Sequence, residues 1–256
     1  MDFNEPPESL LSIHEGLSLH NGWMVKRPEM VCVERVIHLF LNDKPIGNLV
    51  ASPSQLRELG AGFVISEGLA EDVQDVVVEG DQVKVYARSL EQRQEIVTES
   101  GGGLSTRRIM RKITSNHIID REDIFMAIAN IVSKIWEKTG GVHCSVLFTG
   151  KELVAKSSDV GRHNTVDKVI GYCILNRIDL STCVLGCTGR QPAGMVSKAV
   201  NAGIPIIISK AATTDEGIRL AEAAGLTLVC RVKKDSFCVY THPHRIRDLL
   251  VKDNDR

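Results

Sequence analysis

The sequence predicts an α/β protein, and three observations carry that reading. From about residue 119 onward, short apolar runs alternate with amphipathic helices, the pattern of a mostly parallel sheet covered on both faces. Before it, strand-like runs surround one well-marked helix, which points to a smaller α+β portion. With 256 residues, 43% of them hydrophobic and 25% charged, the chain has the make-up of an ordinary globular protein with room for two unequal domains. The expected organisation is an arm over 1–30, a smaller α+β domain over 31–118, and a three-layer α/β/α domain over 119–256. A flexible Gly-rich loop is expected near 101–103.

Residues 1–30 hold no sustained period and read as a loosely held arm. Val31 to Leu41 alternates as a strand. Ser52-Pro53-Ser54-Gln55 then opens a helix, with Ser52 as cap, Pro53 in the first turn and Gln55 closing a capping box. Leu56, Leu59, Phe63 and Val64 form its buried stripe, and Gly68 stops it. Val73–Val78 and Val83–Tyr86 flank Glu79-Gly80-Asp81 as a hairpin. Asp120 caps one long helix to Lys138, ended by Gly140. A hairpin follows (Cys144–Phe148, Leu153–Ala155), then a helix marked by Val166, Val169, Ile170, Cys173 and Ile174. Strand Cys183–Cys187, helix Pro192–Val200 and strand Ile204–Ser209 continue the alternation. Thr213 to Glu216 opens the next helix as a capping box. Leu226–Val232 and Phe237–Tyr240 are the last strands, before a short helix near Ile246–Val251.

Formal net charge is −1, so no global field draws the chain to nucleic acid or anionic membrane. The start lacks the basic and apolar stretches of a signal peptide, and no run approaches the ~20 apolar residues of a membrane span. A cytoplasmic location, with neither membrane nor nucleic-acid partner, is the expectation. Seven scattered cysteines read as buried hydrophobes in a reducing compartment. The basic cluster Arg107-Arg108-Ile-Met-Arg111-Lys112 fits either a solvated helix face or a phosphate contact.

In an open α/β sheet, ligands bind beyond the carboxyl ends of the strands. Three such ends carry polar loops: Ser157 through Lys168, Thr188-Gly189-Arg190-Gln191, and Ser209-Lys210 through Thr214. Each precedes a helix start, whose free N–H groups favour anions. Arg162, Lys168, Arg190 and Lys210 would add full charges, so the set predicts a phosphate or other polyanion. Taken singly, Asn164 and Asp167 also fit as helix caps, and Asp159 with Arg162 or Arg190 as an ion pair. His143, after Gly140-Gly141-Val142, reads as a site residue and Cys144 as core. Tyr240 and His242 share a strand face and could clasp a planar base. No phosphate-loop, nucleophile-elbow, dinucleotide or zinc-deaminase motif occurs, and Cys183-x-x-x-Cys187 has the wrong spacing for zinc.

Gly140-Gly-Val-His143, Asp159-Val-Gly-Arg162-His163-Asn164 with Val166-Asp-Lys168-Val-Ile-Gly171, Thr188-Gly189-Arg190, Met195-Val-Ser-Lys198, Ala202-Gly-Ile-Pro-Ile206 and Val239-Tyr-Thr-His242 together resemble the formate dehydrogenase accessory protein family (FdhD). Gly62 to Gly68 resembles a further stretch of that family, and the match runs from about Val31 to Arg245. The resemblance implies a cytidine-deaminase-like α/β/α domain without zinc, a homodimer, and work on formate dehydrogenase. It also implies sulfur carriage from a cysteine desulfurase to the molybdenum of bis-molybdopterin guanine dinucleotide. The stretch matching the family's cofactor-contacting segment is Phe237, Cys238, Val239, Tyr240, Thr241 and His242. His143, Asp159, Arg162, His163, Asn164, Lys168, Gly189, Arg190 and Lys210 complete the expected cofactor-binding set.

The chain departs from the family where sulfur would be carried. The pattern S-C-G-x-C-G falls on Ser100 to Ser105, placing Gly101 and Leu104 where the reactive cysteines belong. Neither side chain can hold a sulfane sulfur. Three expectations follow: a cofactor-binding accessory protein without its own relay; a sulfurtransferase whose thiol has moved, to Cys144 or Cys187; or a hydrolase using His163 and Asp159 as base and orienter.

Overall fold

The structure is a computed structural model that describes residues 10–90, 95–98, 104–107, 111–247 and 249, with 95–98 and 104–107 described as backbone. It opens with a hairpin, β1 (Leu11–His20) and β2 (Trp23–Cys32), turned at Asn21-Gly22. This overturns the loose arm expected over 1–30: residues 11–30 pair in regular register as a separate two-stranded sheet. Strand β3 (Arg35–Leu41) follows after a break, so the predicted single strand from Val31 is the end of one strand and the start of another.

The small domain consists of β3, β4 (Lys44–Ala51), α1 (Leu56–Ser66), β5 (Asp75–Glu79) and β6 (Gln82–Tyr86), with sheet order β4-β3-β6-β5. Leu59, Ala61, Phe63 and Val64 of α1 pack with Ile37, Leu39, Val83 and Val85, all nearly or wholly buried. Each Val, Leu, Ile or Phe side chain among them contributes roughly 1.5–3 kcal/mol on burial. The helix starts later than its sequence suggests. Gln55, in a left-handed conformation, precedes it, and Ser52 is taken up elsewhere, in a buried polar cluster described below. Strands β7 (Glu95–Thr98) and β8 (Leu104–Arg107) pair with each other. Gly101 lies outside the described residues, and Leu104 is placed by backbone alone.

The second domain holds α2 (Arg121–Asn130), α3 (Lys134–Thr139), β9 (His143–Thr149), β10 (Glu152–Asp159), α4 (Arg162–Leu175), β11 (Cys183–Cys187), α5 (Ala193–Ala202), β12 (Ile206–Ser209), α6 (Asp215–Ala224), β13 (Thr227–Cys230) and β14 (Cys238–Thr241). Its sheet runs β10-β9-β11-β12-β13-β14. Only β11, β12 and β13 are mutually parallel, so the expected mostly parallel sheet is mixed. Two-residue turns such as Gly150-Lys151 can only join antiparallel neighbours. Three layers are nonetheless present. Helices α4, α5 and α6 cover one face through Val166, Val169, Met195, Val196 and Ala221. Helix α2 covers the other through Ile124 and Ala127, against Val146, Val184, Ile206 and Val229.

The single helix expected from Asp120 to Lys138 is two. Asp120 does form a capping box with Asp123. At Ser133 the chain breaks, because its hydroxyl caps α3 by accepting from the Trp136 N–H and also receives the Ser158 hydroxyl at 2.8 Å. Lys156 satisfies the freed Val132 carbonyl at 2.7 Å. A local capping side chain has outcompeted helix continuation. In α6 the cap is Thr214 rather than Thr213. Near the end, a 3₁₀ turn at Pro243–Arg245 precedes the expected helix, and Ile246, read as its start, instead forms a parallel bridge with Ile119; the remainder falls largely outside the described residues.

Candidate functional site

The strand directions bring one end of the large sheet together from all six strands. Parallel β11, β12 and β13 end there at Cys187, Ser209 and Cys230. Antiparallel pairing puts His143 at the start of β9, Asp159 at the end of β10 and Cys238 at the start of β14 on the same rim. Along it stand, in lateral order, Asp159, His143, Thr188 to Arg190, Lys210, Arg231 and Phe237-Cys238. Adjacent strands are ~4.8 Å apart, so His143 to Arg231 spans about 14 Å. That is the scale of a nucleotide diphosphate.

The rim divides chemically into two parts. At its β10 side, Asp159 is fully buried. One carboxylate oxygen accepts from Lys168 Nζ and the Ser52 N–H; the other accepts from the Gly161 N–H and Asn164 Nδ2, both at 2.8 Å. Lys168, also fully buried, donates again to the Ser52 carbonyl at 3.0 Å, and Asn164 to the Val50 carbonyl at 2.8 Å. These bonds hold the end of β4 onto α4. Asp159, Asn164 and Lys168 therefore do not face a ligand as the sequence predicted. Their bonds to Val50 and Ser52 join the two domains. Asp159 is equally unavailable as the orienter of a general base, which removes the basis of the hydrolase expectation.

A second buried cluster lies one turn along. Lys198 of α5 donates to both oxygens of Asp167 at 2.8 and 3.0 Å, and stands 2.6 Å from Glu67 at the end of α1. Ser66 donates to Asp167, and the Lys198 ammonium lies 5.3 Å from the Phe63 ring centre. Burial opposes charge on Lys198, but the Asp167 and Glu67 carboxylates outweigh it and hold its pKa above the usual lysine value. Burial, with repulsion from Glu67 beside it, pushes Asp167 up. Asp167, which fits a helix cap by sequence, is an ion-pair partner instead.

The other part of the rim is open. Arg190, Lys210, Arg231 and Lys233 are all exposed there. A cleft of about 480 Å³ is walled by Ile131, Trp136, Val142 and Val160, with His143 and Thr188 inside and Lys210 at its edge. The imidazole of His143 shares a hydrogen bond with the Thr188 hydroxyl at 3.1 Å. Burial, helped by Arg162 and His163 nearby, lowers its pKa, which leaves it neutral at pH 7. A neighbouring cleft of about 420 Å³ is lined by Lys210, Ala212, Arg231, Lys233, Ser236, Phe237 and Cys238. Lys210 is common to both. Among the described residues, no carboxylate lines either cleft. Arg231 adopts φ 56°, a left-handed conformation uncommon for arginine, as the chain turns away from β13.

Gly189 lies against the methylene stem of Arg162, so a side chain there would press on that stem. Arg162 is half-buried and His163 buried, which makes them supports of the rim more than its surface. The predicted clasp by Tyr240 and His242 does not form at this end. Strand β14 runs antiparallel to β13 and carries Thr241 and His242 to the start of β13, where Thr227 donates to the His242 carbonyl at 2.8 Å. Of the segment 237–242, Phe237 and Cys238 reach the cleft, Val239 packs on the α2 face and Tyr240 on the α5–α6 face.

Sequence reasoning missed Trp136, Arg231 and Lys233. The exposed Trp136 was hidden in a helix read as continuous. The run Arg231-Val-Lys233-Lys234 directly after an apolar strand is a cue for the other two. The larger cleft of about 770 Å³ lies elsewhere, beside Leu180, Ser181 and Gly203 near the strand starts. Arg111 and Lys112 are there, but so are Glu71, Asp72 and Asp179, which would repel an anion.

The thiols expected as relocated sulfur carriers are also placed. Cys144 and Cys187 are buried, and burial pushes their pKa values up to about 11 and about 12. A protonated, enclosed thiol accepts no persulfide sulfur.

The family model described as FdhD/NarQ matches residues 32–247. The chain belongs to the FdhD/NarQ family. Among curated relatives, the sulfur carrier protein FdhD of Methanothermobacter thermautotrophicus is 34% identical, over 86% of this chain and 92% of its own. Protein FdhD of Methanocaldococcus jannaschii is 35% identical, over 83% and 88%. A crystal structure from Desulfotalea psychrophila, described as a formate dehydrogenase accessory protein, superposes with a TM-score of 0.79 at 28% identity, covering 93% of this chain and 99% of that one. The α/β architecture of this family member is thereby that of a solved relative. Among the described residues, no helix is long and apolar enough to cross a membrane.

Proposed function

We propose that this FdhD/NarQ chain is a formate dehydrogenase accessory protein that binds bis-molybdopterin guanine dinucleotide as cargo, without carrying sulfur on a cysteine pair of its own. The observation that carries the reading is Lys210: one exposed ammonium shared by two carboxylate-free clefts, flanked by Arg231 and Lys233 on one side and His143 on the other. Charge-assisted bonds from Lys210, Arg231 and Lys233 suit the pyrophosphate. The Trp136 ring, 55% exposed at the other cleft, offers a stacking face to a planar heterocycle. Formate dehydrogenase is the client that the relatives' descriptions support, and a homodimer is the assembly the resemblance implies. With Gly101 and Leu104 at the family's cysteine positions, sulfur would have to come from another protein or be installed beforehand.

Calorimetric titration of the chain with GDP tests the reading. Saturable binding is expected, and Lys210→Ala should weaken it about tenfold, the equivalent of one charge-assisted hydrogen bond of ~1.4 kcal/mol. No measurable binding, or an affinity unchanged in Lys210→Ala, would contradict it.

A further inference from the structure

The β1–β2 hairpin is out of balance with the rest of the molecule. It pairs with no other strand among the described residues, yet its ten-residue strands keep full register. An isolated two-stranded hairpin is at best marginal in water. Only its base is fixed, where Leu10, Leu11 and Cys32 pack with Ile135, Val142 and Val160. Beyond that, the register sorts its side chains into two faces. Ile13 with Met30, Leu17 with Lys26, and Leu19 with Met24 fall on one face, together with Glu15 and Pro28. Ser12, His14, Glu29, Arg27, Ser18 and His20 fall on the other, with Val25, Val31 and Trp23. The first face is therefore apolar, and it is bare: Ile13 is 71% exposed, Leu17 62%, Leu19 70% and Met24 61%.

We infer that this face is the contact between two copies of the chain, hairpin packed on hairpin about a two-fold axis. The inference rests on the homodimer reading given above and names the surface that forms it. Two features of the face select a second copy as occupant. Its only charges are Glu15 and Lys26, which pair with each other at 2.9 Å and are each two-thirds exposed. In a two-fold contact, residue i meets j and j meets i, so Glu15 of each copy reaches Lys26 of the other and no charge is stranded. The area is also sufficient. Ile13, Leu17, Leu19, Met24 and Met30 present on the order of 500 Å² per copy, so mutual burial removes roughly 1,000–1,200 Å², the lower end of specific interfaces. A lipid surface fits less well. Interfacial elements carry an excess of Lys and Arg, whereas Glu15, Lys26, Arg27 and Glu29 cancel along the hairpin.

Sedimentation equilibrium on the full chain provides the test, with circular dichroism to confirm folding. The wild-type chain is expected to be a dimer, and Leu17→Asp to weaken association at least a hundredfold while the spectrum stays unchanged. Glu15→Lys should weaken it as well, and adding Lys26→Glu to that variant should restore it. A monomeric wild type would overturn both this inference and the homodimer reading. A dimer indifferent to Leu17→Asp and Glu15→Lys would overturn the hairpin contact alone. Co-sedimentation of a monomeric wild type with phosphatidylcholine or phosphatidylglycerol vesicles, lost in Leu17→Asp, would assign the face to lipid and overturn the inference. GDP titration reads the Lys210 clefts, which the bare face of the hairpin does not line, so failure of the ligand reading is told apart from failure of the contact.

Discussion

Asp167→Ala is expected to destabilise the protein by about 3 kcal/mol, because the buried ammonium of Lys198 loses one of its two carboxylates and both hydrogen bonds to it. That group is 2% exposed and has no route to water without opening the junction between α1, α4 and α5. Truncating Asp167 leaves Glu67 and the Ser66 hydroxyl as its neighbours at 2.6 and 3.1 Å, and removes two hydrogen bonds to the lost carboxylate. Replacing all three ionic groups together, as Glu67→Met and Asp167→Leu with Lys198→Met, should cost much less, since a buried ionic cluster and an apolar one of similar size are often close in energy. Urea unfolding of the three chains gives the comparison. The pH dependence has a defined sign. Lys198 is raised in the folded state, so its stabilisation is fully present below the unfolded lysine value of about 10.4 and is lost as pH rises through the higher folded value. A single-site loss below about 1 kcal/mol for Asp167→Ala would show that the junction is not held by this cluster.

The second large effect is expected at Gly62. A Cβ built there would collide with the Asp167 carbonyl, and one at Gly171 would collide with the Glu58 carbonyl. Helices α1 and α4 thus cross backbone to backbone, and neither obstacle is a flexible side-chain end. Gly62→Ala must separate the two helices, and with them the Lys198 and Lys168 clusters on either side. The expected loss is about 3 kcal/mol, the upper part of the range for overpacking. An alanine at Gly80, in an open turn, is the control for the chemistry of the change, although its positive φ carries a smaller strain cost of its own. Thermal unfolding of both variants separates the two accounts: equal losses would mean that close helix approach contributes nothing special.

These two clusters also show what the sequence made legible and what it did not. Alternating apolar runs and capping residues located the strands and helices of the second domain, because those patterns are set by local geometry. Strand direction was not local. The parallel reading failed where tight turns joined β9 to β10 and where β14 turned back beside β13. The hairpin of residues 11–32 was invisible as a core element because it has no core: its apolar face points to solvent.

The rim was legible in the sequence, and part of the set grouped on it was not. Three polar loops at strand ends converge on one rim, and Lys210, Arg190 and His143 are placed along it. Asp159, Asn164 and Lys168 were grouped with them by residue type. Their spacing held the correction. Asn164, Lys168 and Gly171 recur at i, i+4 and i+7, one face of α4, and a face ending in glycine is one pressed against another backbone. Polar residues on such a face bind the protein to itself. Lys168 could not be told from Lys210 by its loop, only by what lies across from it.

Lys210, Arg231 and Lys233 are expected to hold phosphate while Trp136 lies alongside the attached heterocycle. The most direct measurement of this is the fluorescence of Trp136 in a Trp23→Phe background, since those are the two tryptophans of the chain. GDP should quench it saturably, and Lys210→Ala combined with Arg231→Ala should raise the required concentration about a hundredfold, whereas Arg219→Ala on exposed α6 should leave it unchanged. A Trp136 signal that ignores GDP, or one that responds identically in the doubly substituted chain, would contradict the account.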